Sequence, residues 1–334
     1  MDIDEVFNDL VRSNLHQYDL PILINNSAAD MFDPTTAPQA MKLMERIVAE
    51  TQHKKLATIT KEYISPDNIA RLNKMNETAD ITVFFTYGAL PRGYENLVDD
   101  RREYQLNNLA YAQFRKILYV RPIIIKDGVI VNDLEKAAAH GKHADALCYS
   151  YARIDDNIKA LDGANLLPAS TGKSYHESRK PNAALKGLGI LKETGKPVFN
   201  RTSCALSYFY GQPDYNARWA DRQKFGCQTC PHDDVCAKKM HDSYKITPEI
   251  EQIKQALNLG NIKGTTTGGY IFDTQNFSSF RLRIFKMLTR SAVFIEHKEK
   301  LWTPEQLTAQ YKEFSGEPGG NTTLNQLNLP RHVR

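Results

Sequence analysis

Four cysteines in the second half of the chain are the residues whose type and spacing best suit chemistry. They are Cys204 and the three thiols of Cys227-Gln-Thr-Cys230-Pro-His-Asp-Asp-Val-Cys236. Two residues separate the first close pair and five the next, so three thiolates can converge from one loop, with Cys204 arriving from elsewhere as the fourth. Four sulfurs suit a tetrahedral zinc ion or a [4Fe–4S] cluster. Gly226 ahead of Cys227 fits the turn of a zinc knuckle, and the proline after Cys230 fits a cluster loop, so the spacing predicts a metal site and leaves zinc and iron–sulfur open. His232 and His241 are spare donors if all four cysteines ligate. Cys148, between Leu147 and Tyr149, reads as a buried apolar residue.

The elements that must position these groups come in two styles. Up to about residue 200, short apolar runs alternate with helical patterns. Ile3, Val6, Phe7, Leu10, Val11 and Leu15 form one helical stripe, and Ala40, Met41, Leu43, Met44, Ile47 and Val48 form another. Strands are predicted at 21–25, 56–60, 81–85, 117–125, 145–151 and 197–200, with helices at 36–50, from Ser65-Pro66-Asp67 onward, at 101–117, 131–140 and 182–194. Strands separated by helices pair in parallel, because each crossover returns the chain to the same end of the sheet. Their nearly continuous apolar runs suit strands covered on both faces. The predicted fold is therefore α/β, a partial (β/α) TIM-like barrel over residues 1–200. Beyond it come a cysteine-bearing, metal-stapled, loop-rich segment at 201–245, a helical region at 246–314 and a loose tail at 315–334. Gly264-Thr-Thr-Thr-Gly-Gly269 reads as a flexible turn, and Thr303-Pro-Glu-Gln306 as a capping box.

Bulk properties narrow the setting. The chain has 334 residues, 41% of them hydrophobic, with a net charge of +4, a balance too mild to favour or exclude nucleic acid. No run approaches the ~20 apolar residues that span a bilayer, so no membrane role is expected. The start, Met1-Asp-Ile-Asp-Glu-Val-Phe7, lacks the layout of a secretory signal. Five clustered cysteines, an odd number, argue against a disulfide framework. A cytoplasmic protein is expected.

The runs Pro21-Ile-Leu-Ile-Asn-Asn-Ser-Ala-Ala-Asp-Met-Phe-Asp-Pro34, Thr58-Ile-Thr-Lys61 and Val120-Arg-Pro-Ile-Ile124 resemble radical S-adenosylmethionine enzymes, nearest to the branch containing spore photoproduct lyase. The resemblance implies a partial barrel with its first strand missing. It also implies S-adenosylmethionine contacts from Asn26, Ser27 and Asp30, and an auxiliary cluster on the late cysteines. The Cys-x3-Cys-x2-Cys loop of that superfamily is absent, since no cysteine precedes Cys148. The implied protein is thus a subunit or derived member, inactive as an isolated chain, whose protein partner completes the barrel and supplies the missing cluster. The rival expectation is a non-catalytic, zinc-stapled binding protein for nucleic acid or a larger assembly.

Other polar residues fall at predicted strand ends, the face that carries sites in barrels. Asp30 and Asp33 either meet a ligand or cap the turn before the second helix. Lys61 could pair with a phosphate or carboxylate. Thr86 and Tyr87 follow the third strand, and one face of Tyr149, Tyr151 and Arg153 could meet substrate. Arg121, in an apolar strand, should have an anionic partner, because an unpaired buried charge is costly. Arg283, Lys286 and Arg290 share a helical face, as phosphate binding would require. Ser170-Thr-Gly-Lys-Ser174 imitates a phosphate loop, but its leading position is Leu167 rather than glycine.

Overall fold

A computed structural model describes residues 2–25, 30–91, 105–106, 109–126, 129–151, 188–222, 226–275, 277–311, 327 and 329–331, with the backbone alone at 109, 125, 126, 305, 308 and 309. The stretch at 170–174, Arg153, residues 101–104, 107–108 and 182–187 of two predicted helices, and nearly all of the tail lie outside the described residues. The helix predicted at 101–117 is not borne out beyond them: its second half is a 3-10 turn at Leu109–Tyr111 followed by a strand from Arg115, whereas the helix predicted at 182–194 is described only as Gly189–Lys192. The chain divides into two compact units. One comprises 21–48 and 54–205, and the other 1–20, 49–53 and 206–334.

The first unit is built on six parallel strands: β1 (Ile22–Ile24), β2 (Lys55–Thr60), β3 (Asp80–Thr86), β4 (Arg115–Ile123), β7 (Ala146–Tyr151) and β8 (Val198–Phe199). A small hairpin, β5 (Ile125–Lys126) with β6 (Val129–Ile130), follows β4. The sheet order is β1-β2-β3-β4-β7-β8, every neighbouring pair parallel. An order that never reverses is the winding of a barrel rather than of a doubly wound sheet, whose order turns back on itself. The fold is therefore α/β with a parallel six-stranded sheet, consistent with a partial TIM-like barrel.

Local chemistry accounts for the elements between the strands. Helix α2 (Ala37–Glu50) buries Ala40, Met41, Leu43, Met44, Ile47 and Val48, the predicted stripe. Helix α3 (Pro66–Asn76) opens with Ser65, whose hydroxyl accepts from the Asn68 amide at 3.2 Å, and with a proline at a position that needs no amide donor. Helix α4 (Leu134–Gly141) is capped by Asp133, which accepts from the Lys136 amide at 2.9 Å. In β3 every residue from Ile81 to Thr86 is buried, as expected of a strand covered on both faces. Phe84, Val83, Ile117, Leu118, Leu147 and Cys148 form its sealed centre.

The second unit departs from the expected helical region. After α1 (Ile3–Arg12) at the N-terminus, it contains α7 (Asp233–Lys239) and α8 (Pro248–Ala256). These are followed by a four-stranded sheet of β9 (Ile262–Thr266), β10 (Gly269–Phe272), β11 (Ala292–His297) and β12 (Lys300–Trp302), ordered β12-β11-β10-β9. Helix α9 (Ser279–Thr289) joins the parallel pair β10 and β11, and α10 (Pro304–Gln310) closes the run behind the capping box formed by Thr303 and Gln306. The short helices α5 (Gly189–Lys192) and α6 (Thr202–Phe209) precede α7 in the chain. The expected flexible turn at 264–269 is instead the meeting of β9 and β10, with Gly268 at φ 84° supplying the reversal. The core gathers Tyr18, Leu257, Tyr270, Phe272, Phe285 and Ile295, with Phe285 edge-on to Tyr270 at 5.5 Å and to Phe272 at 5.1 Å. Burying a ring such as Phe285 stabilises by roughly 2–3 kcal/mol. Among the described residues no helix is long and apolar enough to cross a membrane.

Candidate functional site

Strand register sorts the predicted polar residues onto two faces of the parallel sheet. Thr60 pairs with Phe85, whereas Thr86 pairs with Tyr119, and Tyr119 with Cys148. Since side chains alternate along a strand, Thr60 faces one side while Thr86, Tyr119, Cys148 and Ser150 face the other.

On the Thr60 side, Asp30 acts as a latch. Its carboxylate accepts from the Thr60 hydroxyl at 2.6 Å, the Lys61 amide at 2.6 Å and the Phe32 amide at 3.0 Å. The loop after β1 is thereby tied to the end of β2. Asp33 caps the following turn, and its hydrogen bonds from the Thr35 side chain and amide hold its carboxyl below the ordinary range. Lys61 is exposed beside this latch. Asn26 and Ser27 lie outside the described residues.

On the other face a row of polar groups runs across three strands. Thr86 and Tyr119 are buried, and the Tyr119 hydroxyl donates to Ser150 Oγ at 3.0 Å. Burial raises the Tyr119 pKa; the charge of Cys148 adds to that, while the Ser150 hydrogen bond, Arg121 and Arg201 oppose it. Arg121, in an apolar strand, was expected to be buried against an anionic partner, either a ligand or a protein carboxylate. It is exposed instead, its guanidinium 5.6 Å from the centre of the Tyr119 ring. Two residues on from Tyr119 in the same strand, it lies over the ring and reaches solvent, so no anionic protein partner is required. Tyr149 and Tyr151 meet edge-to-face at 6.0 Å, and burial raises the Tyr151 hydroxyl.

Behind this rim stands a residue that sequence reasoning passed over. Asn132, 6% exposed, accepts from the Ile124 amide at 2.8 Å and donates to the carbonyls of Gly88 at 2.5 Å and Pro122 at 2.8 Å. One amide thus fastens the loops after β3 and β4 together. No sequence signal marks it. The Tyr119–Arg121 pair was discoverable, because residues i and i+2 of a strand share a face.

The cysteine segment lies mostly in the second unit. Cys227 begins a tight turn entered from Gly226 in the left-handed region, and Cys236 lies on α7; both are buried, whereas Cys230 is half-buried. Burial first, then the neighbouring Cys230 and Asp233, raises Cys227 to about 11. Burial likewise raises Cys236 to about 12, against the lowering effect of the Asp214 amide 3.4 Å from its sulfur. His232, the spare donor, spends Nε2 on the Gln212 carbonyl at 2.6 Å and packs edge-on against Tyr208. Among the described residues, no group of three His, Cys, Asp or Glu side chains is arranged to hold a metal ion. The expected metal staple is thus not seen. The three sulfurs share a neighbourhood without a ligand geometry. Cys204 is buried in the first unit, on α6.

The basic helical face is also redistributed. Arg290 adopts φ 47° at the end of α9; its guanidinium bonds the Asp19 carbonyl and stands 3.6 Å from the Asp19 carboxylate. Arg283 and Lys286 remain together, on the wall of a cavity.

No family model matches the chain, and no curated protein matches it. Among solved structures, the crystal structure of the HMG-CoA lyase of Bacillus subtilis is similar at 12% identity and a TM-score of 0.30, covering 72% of this chain and 92% of that one. A likeness that weak says nothing about activity. The resemblance to radical S-adenosylmethionine enzymes is overturned: no family model supports it, and among the described residues the cysteines form no metal-holding cluster. The cofactor contacts expected from that resemblance lose its support.

Proposed function

We propose that the parallel-sheet unit binds a small anionic organic molecule, a carboxylate or phosphate ester, at the C-terminal ends of its strands. The observation that carries this reading is the Tyr119 hydroxyl, hydrogen-bonded to Ser150 and within the electrostatic reach of both Arg121 and Arg201. Arginine offers a planar fork of donors matched to carboxylate or phosphate oxygens. The buried Thr86–Tyr119 row gives such a ligand an ordered polar floor, and Asn132 and Asp30 hold the surrounding loops in place. The strand ends of a parallel α/β sheet are where loops and side chains converge on ligands.

The test is a thermal-shift and calorimetric screen of small mono- and dicarboxylates and sugar phosphates against the full chain. At least one should bind saturably, and Arg121→Gln should weaken it about tenfold or more, as expected for loss of one charge-assisted hydrogen bond. Tyr119→Phe should weaken it less while leaving the fold intact. If no member of either class binds, or if Arg121→Gln binds as well as the parent chain, the reading fails.

A further inference from the structure

We propose a second anion site in the other unit: a cavity of about 300 Å³ that takes a small phosphorylated molecule. Three cationic side chains line it, Arg218 from the turn Arg218–Asp221 and Arg283 with Lys286 from one face of α9, against the single carboxylate of Asp221. Its floor is made of small, sealed residues, with Ala217 4% and Ala292 2% exposed. Short side chains there leave room for a ligand where larger ones would fill the space. Thr303 sits on the wall, and its oxygen already accepts from the Gln306 amide at 3.2 Å, so its own O–H is the hydrogen the hydroxyl has to donate.

The backbone that carries Arg218 is held in position. The Arg218 amide donates to Asp214 Oδ2 at 3.1 Å, and the Ala217 amide to the Asp214 carbonyl at 2.9 Å. Ala217 itself is held at φ 48°, ψ 38°, a conformation that an alanine adopts at a cost in strain and that turns Arg218 onto its wall. Arg283 and Lys286, one helical turn apart, present two donors side by side, one planar and one compact. Three donors of this kind around a volume at the small end of ligand sites suit the concentrated charge of a phosphate better than a monocarboxylate. The recess also favours a small molecule over duplex nucleic acid, whose phosphates are spread along an extended surface.

The experiment is titration of the full chain with pyrophosphate by isothermal calorimetry. Arg283→Gln/Lys286→Gln is compared with Lys238→Gln, which changes an exposed lysine outside the cavity, and circular dichroism confirms that each variant is folded. Saturable binding that weakens about tenfold or more in the double variant and is unchanged in Lys238→Gln supports the site. Absence of saturable binding at millimolar pyrophosphate, or equal weakening in all variants, overturns it. So does tight binding of a duplex oligonucleotide that pyrophosphate fails to displace. Arg121→Gln, in the first unit, should leave pyrophosphate binding intact, so this proposal and the carboxylate-or-ester site stand or fall separately.

Discussion

Asn132 shows how much one buried side chain can decide. Its amide makes three hydrogen bonds to backbone groups of two loops. Asn132→Leu fills similar space but strands an amide and two carbonyls, so a loss of about 2–4 kcal/mol is expected, read from the denaturation midpoint. Arg71 and Glu45 make the opposite case. Their pair is bidentate at 2.7 and 2.8 Å, yet both side chains are over a third exposed. The hydrogen bond from Arg71 lowers the Glu45 pKa. A folded pKa below the unfolded one means that the pair stabilises above the ordinary carboxylate range and stops doing so as pH falls through the lowered value. Arg71→Ala should therefore cost less than about 1 kcal/mol at neutral pH, and the parent and variant stabilities should converge in acid. Among the thiols, burial keeps Cys227 and Cys236 protonated near pH 8, since they titrate only at about 11 and about 12. In chelator-treated native protein, the half-buried Cys230 should be alkylated before either, as mass spectrometry of timed samples would show. None of these roles follows from residue type. Each depends on what surrounds the group.

At the scale of elements, the parallel strands were legible because their apolar runs are long and separated by helices with clear starts. Ser65-Pro66 placed the opening of α3 correctly, and the stripe in α2 matches its buried face. Removing that cap with Ser65→Ala should cost about 1 kcal/mol. The second sheet was missed for an equally physical reason. Strand β9 reads Ile-Lys-Gly-Thr-Thr and is only partly buried, with no apolar run to announce it; it is a strand because β10 lies beside it. The same closeness sets the meaning of Gly269. A Cβ there would stand 2.3 Å from the Ala292 carbonyl oxygen, across the parallel pair β10 and β11. Gly269→Ala should destabilise by about 3 kcal/mol or prevent folding of the second unit, because the obstacle is backbone and cannot swing aside.

For the whole molecule, the division into two compact units predicts two unfolding transitions in calorimetry. Phe84 and Phe285 are both fully buried, one in each unit. Phe84→Ala and Phe285→Ala should each lower one transition, by a loss of about 3–5 kcal/mol, and leave the other in place. A single transition displaced by both substitutions would contradict the division. The sequence by itself determined the α/β class, the succession of parallel strands and most helix starts, since periodicity, caps and proline act over a few neighbouring residues. It also brought Cys227, Cys230 and Cys236 into one neighbourhood, because nine residues of chain cannot separate them far. Tertiary structure decided the rest. It exposed Arg121 over a tyrosine, withdrew Arg290 from a basic face to meet Asp19, and placed Arg218 across a cavity from α9. It also arranged the cysteine sulfurs without a metal-holding geometry among the described residues. Those outcomes turn on the direction of a side chain and the proximity of distant segments, which only the packing of the whole chain sets.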